Sequence, residues 1–327
     1  MTLWYLGIVG LFIAVTDYVK DLFTNFLVLN TKKLGKQTGK VVVMTGGSSG
    51  IGFGILKKLL QLDYTIILGV QSKAEGERCI AKLHKLGIPS SRVKFHRLEL
   101  KSLHSVRQFA MDVLASKESE RIDLLVNNAG IMNVPYEKTV DNFESHFQVN
   151  YLSHFLLTNL LLPRMKETSA KMDEPCQIIY TSSTVQWGGN INFDELETSK
   201  VYSAAKCYAD SKLCLAIHAK TLEKWLRQQN INVHAYAVHP GMIPTDLWDD
   251  VGFIIRGLRP LLKYFFWTVD DAACAVLYPA LTPGIGEKWG GEYFEYGKMT
   301  LPNKQVGLPG IQKKLWERSL DLTQDFK

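Results

Sequence analysis

Short apolar runs rich in β-branched residues alternate with longer segments whose apolar residues recur every three to four positions. The short runs predict strands at about 40–45, 64–69, 92–97, 122–126, 176–181, 232–238 and 291–294. The longer segments predict helices at about 50–61, 73–86, 102–117, 141–166, 202–228 and 269–281. This alternation predicts an α/β protein with a Rossmann-like, doubly wound parallel sheet of about seven strands between two layers of helices.

The N-terminal segment has a different pattern. Leu3–Val15 is an unbroken apolar run, and an amphipathic stretch follows it and ends in three lysines between positions 32 and 36. As a helix, the apolar run rises about 20 Å, which is less than the ~30 Å hydrocarbon core of a bilayer. We expect residues 1–36 to form a membrane or interfacial anchor, with the lysines on the cytosolic side and residues 37–327 forming one domain. A helix docked on the protein itself is the alternative.

Composition limits the classes of partner. The 327 residues carry 38 basic and 32 acidic side chains, a formal charge of +6. This mild excess, which contains no arginine-rich block, does not indicate nucleic-acid binding. The five cysteines form no C-x-x-C pair, and we interpret them as small core residues in a reducing compartment. No cluster has the spacing of metal ligands, so we expect no metal site.

A glycine-rich turn joins the first predicted strand to the first predicted helix. Residues 45–52 read Thr-Gly-Gly-Ser-Ser-Gly-Ile-Gly, and glycines allow positive φ angles and close backbone approach. The helix N-terminus beyond them offers free N–H groups and a positive dipole end, which suit a pyrophosphate. The spacing of Gly46, Gly50 and Gly52 differs from the usual G-x-G-x-x-G pattern of dinucleotide sites. An ordinary turn rich in glycine and serine is the alternative.

Tyrosine is twice followed four residues later by lysine, at Tyr202/Lys206 and Tyr208/Lys212. On a helix, this spacing places a phenol and an ammonium on one face. The cation there favours the phenolate and lowers the phenol pKa, which suits proton exchange with an alcohol or carbonyl. The two tyrosines are separated by about 120° around a helix axis, so only one pair faces a given site. The spacing alone does not choose between them.

Further polar and glycine residues stand mostly at the carboxyl ends of predicted strands, where parallel sheets bind cofactors. These segments are Asn127–Gly130, Asn150, Ile178–Ser183, Tyr208–Lys212 and His239–Thr245. With the glycine-rich turn, and in this order, they resemble the short-chain dehydrogenase/reductase family over roughly residues 40 to 300. Within that family, the chain resembles the retinol dehydrogenases.

The resemblance implies roles for four residues. Tyr208 would be the acid/base, Lys212 would lower its pKa and bind the nicotinamide ribose, and Ser183 would orient the substrate oxygen. Asn150 would bend its helix and hold a water that relays protons. In retinol dehydrogenase members, a second tyrosine precedes the catalytic tyrosine. In this chain, that second tyrosine is Tyr202. Only Tyr208 has the Ser-Lys-Leu continuation, and it lies 25 residues after Ser183.

The resemblance also implies a nicotinamide dinucleotide. An acidic residue after the second strand would select NAD, and a basic residue there would select NADP. The chain has Ser72 and Lys73 there, which favours NADP, with NAD as the alternative. Lys73 as a surface lysine at a helix start is the other interpretation, and Glu99 replaces the family's aspartate near the adenine. The expected cofactor contacts are Gly46, Ser48, Ser49, Gly50, Ile51, Gly52, Ser72, Lys73, Glu99, Asn128, Gly130, Tyr208, Lys212, Pro240, Gly241 and Thr245.

Residues 246–268 are aromatic, apolar and basic, which is typical of membrane-surface helices and would also suit a lid over a lipophilic substrate. We therefore expect a membrane-associated oxidoreductase that interconverts a lipophilic alcohol and its aldehyde or ketone, of retinoid, steroid or polyprenoid type. The resemblance further implies the endoplasmic reticulum or a lipid droplet, with the catalytic domain in the cytosol, and a homodimer. A soluble general carbonyl reductase and a non-catalytic cofactor-binding regulatory protein are the alternatives.

Overall fold

The computed structural model of the protein describes Leu29 and residues 34–198, 202–241 and 268–326. Most of the predicted anchor, nearly all of the segment 246–268 and Thr245 lie outside the described residues. Within the described ranges, none of the helices combines the length and the apolarity needed to cross a bilayer.

Eight strands in the described part form one sheet. They are Val41–Thr45 (β1), Thr65–Val70 (β2), Val93–Arg97 (β3), Leu124–Asn127 (β4), Cys176–Thr181 (β5), Val233–His239 (β6), Tyr293–Glu295 (β7) and Lys298–Thr300 (β8). Their order in the sheet is β3-β2-β1-β4-β5-β6-β7-β8. All neighbours are parallel except β7 and β8, which are antiparallel. The expected parallel, doubly wound sheet is confirmed.

The α-helices of the described part lie between and after these strands. They are Gly50–Gln61 (α1), Lys73–Lys85 (α2), Leu103–Ala115 (α3), Ser153–Met172 (α4), Ala204–Gln228 (α5), Val269–Leu281 (α6), Ile285–Trp289 (α7) and Pro309–Leu322 (α8). A π-helical turn, Phe147–Leu152, leads directly into α4.

Alternating side chains of the strands supply two apolar cores, one on each face of the sheet. On β1, Val43 points into the core that contains Phe155 of α4 and Leu213 of α5. Its neighbour Val42 points into the opposite core, with Leu56 of α1. Because strands buried on both faces read as continuous apolar runs, the sequence pattern located most of them correctly.

The helix expected at 141–166 differs most from the structure. Asn142 has a φ of +66°, and Glu144 forms an isolated β-bridge with Lys138, so the first residues of that range are not helical. The Glu144 carboxylate accepts the N–H groups of His146 at 3.0 Å and Phe147 at 2.9 Å, which caps the start of the helical segment. The helical segment then continues to Met172, beyond the predicted end.

The last strand and the last helices were not predicted. A strand of three residues, such as β8, is too short to show alternation. A sequence signal for α8 did exist, since Pro309 at its first position is a common helix start.

β1 and β4 are neighbours in the sheet, but the helices that follow them, α1 and α4, pack on opposite faces. The order of the strands therefore reverses between β1 and β4. The carboxyl ends of strands at such a switch point form a crevice that binds ligands in open α/β sheets. The topology therefore locates the candidate site at the carboxyl ends of β1, β4 and β5.

Candidate functional site

The glycine-rich loop between β1 and α1 is packed so closely that two glycines have no room for a side chain. A Cβ on Gly52 would lie 1.8 Å from the Gly46 carbonyl oxygen, and one on Gly46 would lie 2.7 Å from Cα of Ala129. Gly46 and Gly50 have φ angles of +67° and +50°. Ser49 begins α1 without a side-chain cap, which leaves the N–H groups of the first turn open to an anion. This loop fits the pyrophosphate of a dinucleotide.

Thr45 and Asn128 tie this loop to the neighbouring strand ends. Thr45 Oγ1 accepts the N–H groups of Asn128 and Ala129, both at 3.0 Å. The Asn128 side-chain amide donates to the Gly46 carbonyl at 3.0 Å, and its oxygen accepts from the Thr181 hydroxyl at 3.3 Å. Asn128, an expected cofactor contact, therefore joins the edges of β1, β4 and β5.

Ser183, Tyr208 and Lys212 come together beside these strand ends. The side chain of Ser183, two residues after β5, lies close enough to Tyr208 on α5 to lower the pKa of its phenol. Lys212 Nζ lies 5.6 Å from the centroid of the Tyr208 ring and donates to the Thr181 carbonyl at 2.8 Å. A Cβ on Gly130 would lie 3.3 Å from Lys212 Nζ, so a larger residue there would crowd the ammonium. The structure thus brings these three predicted catalytic residues into one cluster.

Burial controls the protonation of this cluster. It lowers the pKa of Lys212 to about 8, because the apolar interior disfavours the ammonium. It raises the pKa of Tyr208 to about 12, and the neighbouring Ser183 side chain offsets only part of that rise. The sequence predicted a lowered Tyr208 pKa. In this arrangement, burial of the phenol is the largest effect, and it shifts the pKa in the opposite direction.

Asn150 is fully buried in the π-helical turn, and the bend of the helix that the resemblance implies at this residue stays a prediction. Its Oδ1 accepts the Ile131 N–H at 2.8 Å, and its Nδ2 donates to the Ile131 carbonyl at 3.0 Å and to Ser211 Oγ at 2.9 Å. The side chain therefore fastens the segment after β4 to α5. Its role in holding a relay water stays a prediction.

His154 is a residue of this site that the sequence reasoning missed. Thr45 Oγ1 lies 3.0 Å from His154 Nε2, and since that oxygen already accepts two N–H groups, its own proton is donated to the ring. His154 Nδ1 then donates to the Asn150 carbonyl at 2.9 Å. Burial lowers the pKa of His154 to about 4, which agrees with a neutral ring. The signal was its position four residues after Asn150, on the same helix face.

The other tyrosine–lysine pair has different partners. The Tyr202 hydroxyl donates to the Val134 carbonyl, and its ring centroid lies 5.1 Å from that of Tyr136. Lys206 Nζ lies 2.7 Å from the Asp210 carboxylate. Tyr202 precedes the first residue of α5, so the angle around a helix axis does not apply to it. The contacts nevertheless separate this pair from the Ser183–Tyr208 cluster.

The residues expected to select the cofactor lie at the start of α2. Ser72 Oγ accepts the backbone N–H of Glu75 at 3.2 Å, which makes Ser72 the cap of this helix. The Lys73 side chain is 83% exposed, and its Nζ lies 3.7 Å from the Glu77 carboxylate. Both residues stand beside the carboxyl end of β2, as the sequence predicted.

Three other expected contacts stand at two further strand ends. Glu99 follows β3, and its carboxylate accepts the backbone N–H of Lys101 at 3.0 Å. Pro240 and Gly241 are buried directly after β6, and Gly241 has a φ of +94°. The remaining expected contacts, Ser48, Ser49 and Ile51, belong to the glycine-rich loop and the first turn of α1.

Comparisons with known proteins find relatives along most of the chain. Residues 40–252 match the family described as short chain dehydrogenase. The chain is 34% identical over 285 residues to polyprenol dehydrogenase of Homo sapiens, covering 87% of this chain and 85% of that protein. It is 36% identical over 284 residues to retinol dehydrogenase 11 of Mus musculus, covering 87% and 86%.

Solved structures share the fold. An uncharacterized protein from Mycobacterium Paratuberculosis superposes with a TM-score of 0.72 and 29% identity, over 91% of this chain and 98% of that one. The Pseudomonas aeruginosa RhlG/NADP complex gives a TM-score of 0.61 at 21% identity, over 80% and 95%. The 3-ketoacyl-(acyl-carrier-protein) reductase from Brucella melitensis, complexed with NADH, gives 0.60 at 22%, over 79% and 96%.

Proposed function

The chain belongs to the short-chain dehydrogenase family, and from this premise we propose that it interconverts a lipophilic alcohol and its aldehyde or ketone with a nicotinamide dinucleotide. The observation that carries the proposal is the cluster in which Ser183 lies beside the Tyr208 phenol and lowers its pKa, and Lys212 Nζ lies 5.6 Å from the Tyr208 ring. A non-catalytic member of the fold would need none of these three side chains.

The residues that would hold the cofactor line the switch point. The first-turn N–H groups of α1 suit its pyrophosphate, and the absence of side-chain room at Gly46 and Gly52 allows close approach of the backbone. Lys212 is proposed to bind the nicotinamide ribose. When bound, the cofactor supplies or accepts the hydride, which no side chain of this site can do.

Proton exchange with the substrate oxygen is assigned to Tyr208. In reduction, the Tyr208 hydroxyl donates its proton to the oxygen that becomes the alcohol; in oxidation, the phenolate takes that proton back. Ser183 holds the substrate oxygen within reach of the phenol. The charge of Lys212 favours the phenolate against the burial that raises the Tyr208 pKa to about 12. Asn150 supports this arrangement through the segment after β4.

A lipophilic substrate is supported by two observations. A large aromatic side chain remains exposed close to Ser183 in the chain: Trp187, four residues after Ser183, is 47% exposed. Two relatives carry polyprenol and retinol in their names. Exposed aromatic surface beside a polar reaction centre suits an apolar chain that ends in an alcohol or carbonyl.

The cofactor preference, the membrane anchor and the oligomeric state are proposed from the sequence. Ser72 and Lys73 make NADP the first cofactor to test, with NAD as the alternative. Residues 1–36 are proposed to hold the protein on a membrane of the endoplasmic reticulum or a lipid droplet, and a homodimer is expected. Alkaline carbonate extraction of membranes tests the anchor, because a spanning segment would keep the protein in the pellet.

Turnover by the purified protein tests the proposed function. NADH and NADPH are each offered with retinal, a polyprenal and a steroid ketone, and consumption of the dinucleotide is followed by absorbance. We expect turnover of at least one carbonyl, and loss of turnover with retained dinucleotide binding in Tyr208→Phe. Wild-type turnover that survives in Tyr208→Phe would refute the assignment of the acid/base. Binding of dinucleotide without turnover of any carbonyl would favour the non-catalytic alternative.

A further inference from the structure

The fold brings to the end of β2 a carboxylate that the sequence pattern did not single out. Glu75 lies in the first turn of α2, four residues after Gln71. One carboxylate oxygen accepts the Gln71 backbone N–H at 2.8 Å, and the other accepts the hydroxyl of Ser48 in the glycine-rich loop. Glu75 therefore bridges the loop that would hold the pyrophosphate and the end of the second strand.

Three features position α2, and with it Glu75, against the sheet and the glycine-rich loop. The Glu75 backbone N–H donates to Ser72 Oγ at 3.2 Å, which sets the start of the helix. The next residue, Gly76, lets α2 approach the sheet, since a Cβ there would lie 2.6 Å from the ring of Phe95. Cys79 Sγ, one turn further, lies 3.9 Å from the Gly47 carbonyl oxygen. Glu75 is held by the packing of its helix and is not a freely moving surface side chain.

The contacts of Glu75 depart from ordinary helix capping. The sequence Ser72-Lys-Ala-Glu75 fits a capping box, in which the glutamate would return to the backbone N–H of the capping residue itself. Here the carboxylate reaches the preceding residue, Gln71, and crosses to Ser48 on a different segment. The second contact stabilises no helix end, so capping does not account for the position of the side chain.

The place that Glu75 occupies is the corner where dinucleotide sites distinguish a ribose 2′-hydroxyl from a 2′-phosphate. A carboxylate there accepts hydrogen bonds from ribose hydroxyls, and each Glu75 oxygen keeps a lone pair for that purpose. The same charge repels a 2′-phosphate and cancels the positive dipole end of α2. The ammonium of Lys73 is paired with Glu77 at 3.7 Å, and its side chain is 83% exposed.

We propose that Glu75 is the residue that selects the cofactor of this chain, and that it selects NAD over NADP. The inference rests on the proposed dinucleotide site and reverses the choice that Ser72 and Lys73 suggested from the sequence. Those two residues were the only candidates on the segment directly after β2, whereas Glu75 reaches the same corner from within the helix.

Binding of reduced dinucleotides to the purified full chain tests the inference without any substrate. NADH and NADPH are titrated separately, and the enhancement of nicotinamide fluorescence gives each dissociation constant. We expect NADH to bind at least about tenfold more tightly than NADPH, which is the modest end of the effect of opposing like charges. In Glu75→Gln, which keeps the shape and removes the charge, NADPH binding should improve about tenfold while NADH binding changes little.

Two matched variants separate Glu75 from its neighbours. Glu77→Gln removes a carboxylate from the same helix and frees Lys73, and Lys73→Met removes the competing cation. Both should leave the ratio of the two dissociation constants within about twofold of the wild type. If Lys73 were the selecting residue, Lys73→Met would weaken NADPH binding alone, and Glu77→Gln would strengthen it.

The outcomes distinguish this inference from the proposed function. A wild type that binds NADPH as tightly as NADH, or a Glu75→Gln variant with an unchanged ratio, overturns the assignment of Glu75 and leaves the dehydrogenase function standing. A wild type that binds neither dinucleotide overturns the function as well. Should Glu75→Gln fail to fold, the wild-type ratio and the Lys73→Met variant still decide between the two selecting residues.

Discussion

Replacing Lys212 by methionine should abolish turnover and, at neutral pH, make the protein more stable. The Lys212 side chain is buried, and burial lowers its pKa from an ordinary value of 10.5 to about 8. A shift of that size means that keeping the ammonium inside the fold costs about 3 kcal/mol at pH 7. Methionine has a similar length and carries no charge, so the substitution removes that cost.

The hydrogen bond from Lys212 to the Thr181 carbonyl, at 2.8 Å, works in the other direction. Leaving that buried carbonyl without its donor costs about 1–2 kcal/mol. The net expectation for Lys212→Met at pH 7 is therefore an unfolding free energy about 1–2 kcal/mol above the wild type.

The sign of the pH dependence follows from the lowered pKa. An amine that is harder to protonate in the folded protein than in the unfolded protein destabilises the fold. For Lys212, the full cost is present at every pH below its folded pKa, which is about 8. That cost disappears as the pH rises towards the unfolded value. The difference between Lys212→Met and the wild type should thus shrink by about 1 kcal/mol between pH 7 and pH 9.

Urea denaturation of the purified wild type and variant, followed by tryptophan fluorescence at pH 7 and pH 9, measures both differences. Lys206→Met is the matched control on the same helix. Lys206 pairs with the buried Asp210 carboxylate at 2.7 Å, so its removal should lower stability. A Lys212→Met protein that is less stable than the wild type at pH 7, or a difference that grows with pH, would refute the reasoning from burial.

Three further substitutions test the packing around the site. Thr45→Val leaves two partly buried N–H groups without an acceptor and the buried His154 Nε2 without a donor. It should lower the unfolding free energy by about 2–4 kcal/mol in urea titrations, whereas Thr45→Ser should lower it far less. Gly52→Ala sets a Cβ 1.8 Å from a carbonyl oxygen and should abolish NADH binding, while Gly188→Ala, with nothing within 4 Å, should preserve it. Tyr202→Phe removes only a hydrogen bond to a loop carbonyl and should keep most of the turnover; loss comparable to that of Tyr208→Phe would contradict the choice between the two tyrosines.

Hydrophobic periodicity located most of the sheet and of the helices around it. Strands buried on both faces, such as Val41–Thr45, give continuous apolar runs, and amphipathic helices give a period near 3.6. The helix around Asn150 was predicted with wrong ends, because its start depends on the Glu144 carboxylate accepting two backbone N–H groups. Such a cap adds no apolar residue to the pattern.

The candidate catalytic residues were found from sequence because each belongs to a short motif. Tyr208 and Lys212 are four residues apart on one helix, so local spacing already brings them together. Ser183 was found through the order of motifs along the chain. Their convergence, with Ser183 beside the Tyr208 phenol, depends on β5 and α5 packing side by side. The sequence identified the groups, and the tertiary structure determined their distances.

The sequence by itself determined the fold class, the position of the glycine-rich loop and the chemical groups of the site, because these follow from local periodicity and short motifs. Only the tertiary structure decided which side chains meet from distant segments. Thr45 and His154 are 109 positions apart, and Ser48 and Glu75 are 27 apart, yet both pairs are hydrogen-bonded. It also decided the charge states, since burial, which raises the pKa of Tyr208 and lowers that of Lys212, depends on how the surrounding elements pack and not on neighbours in the chain.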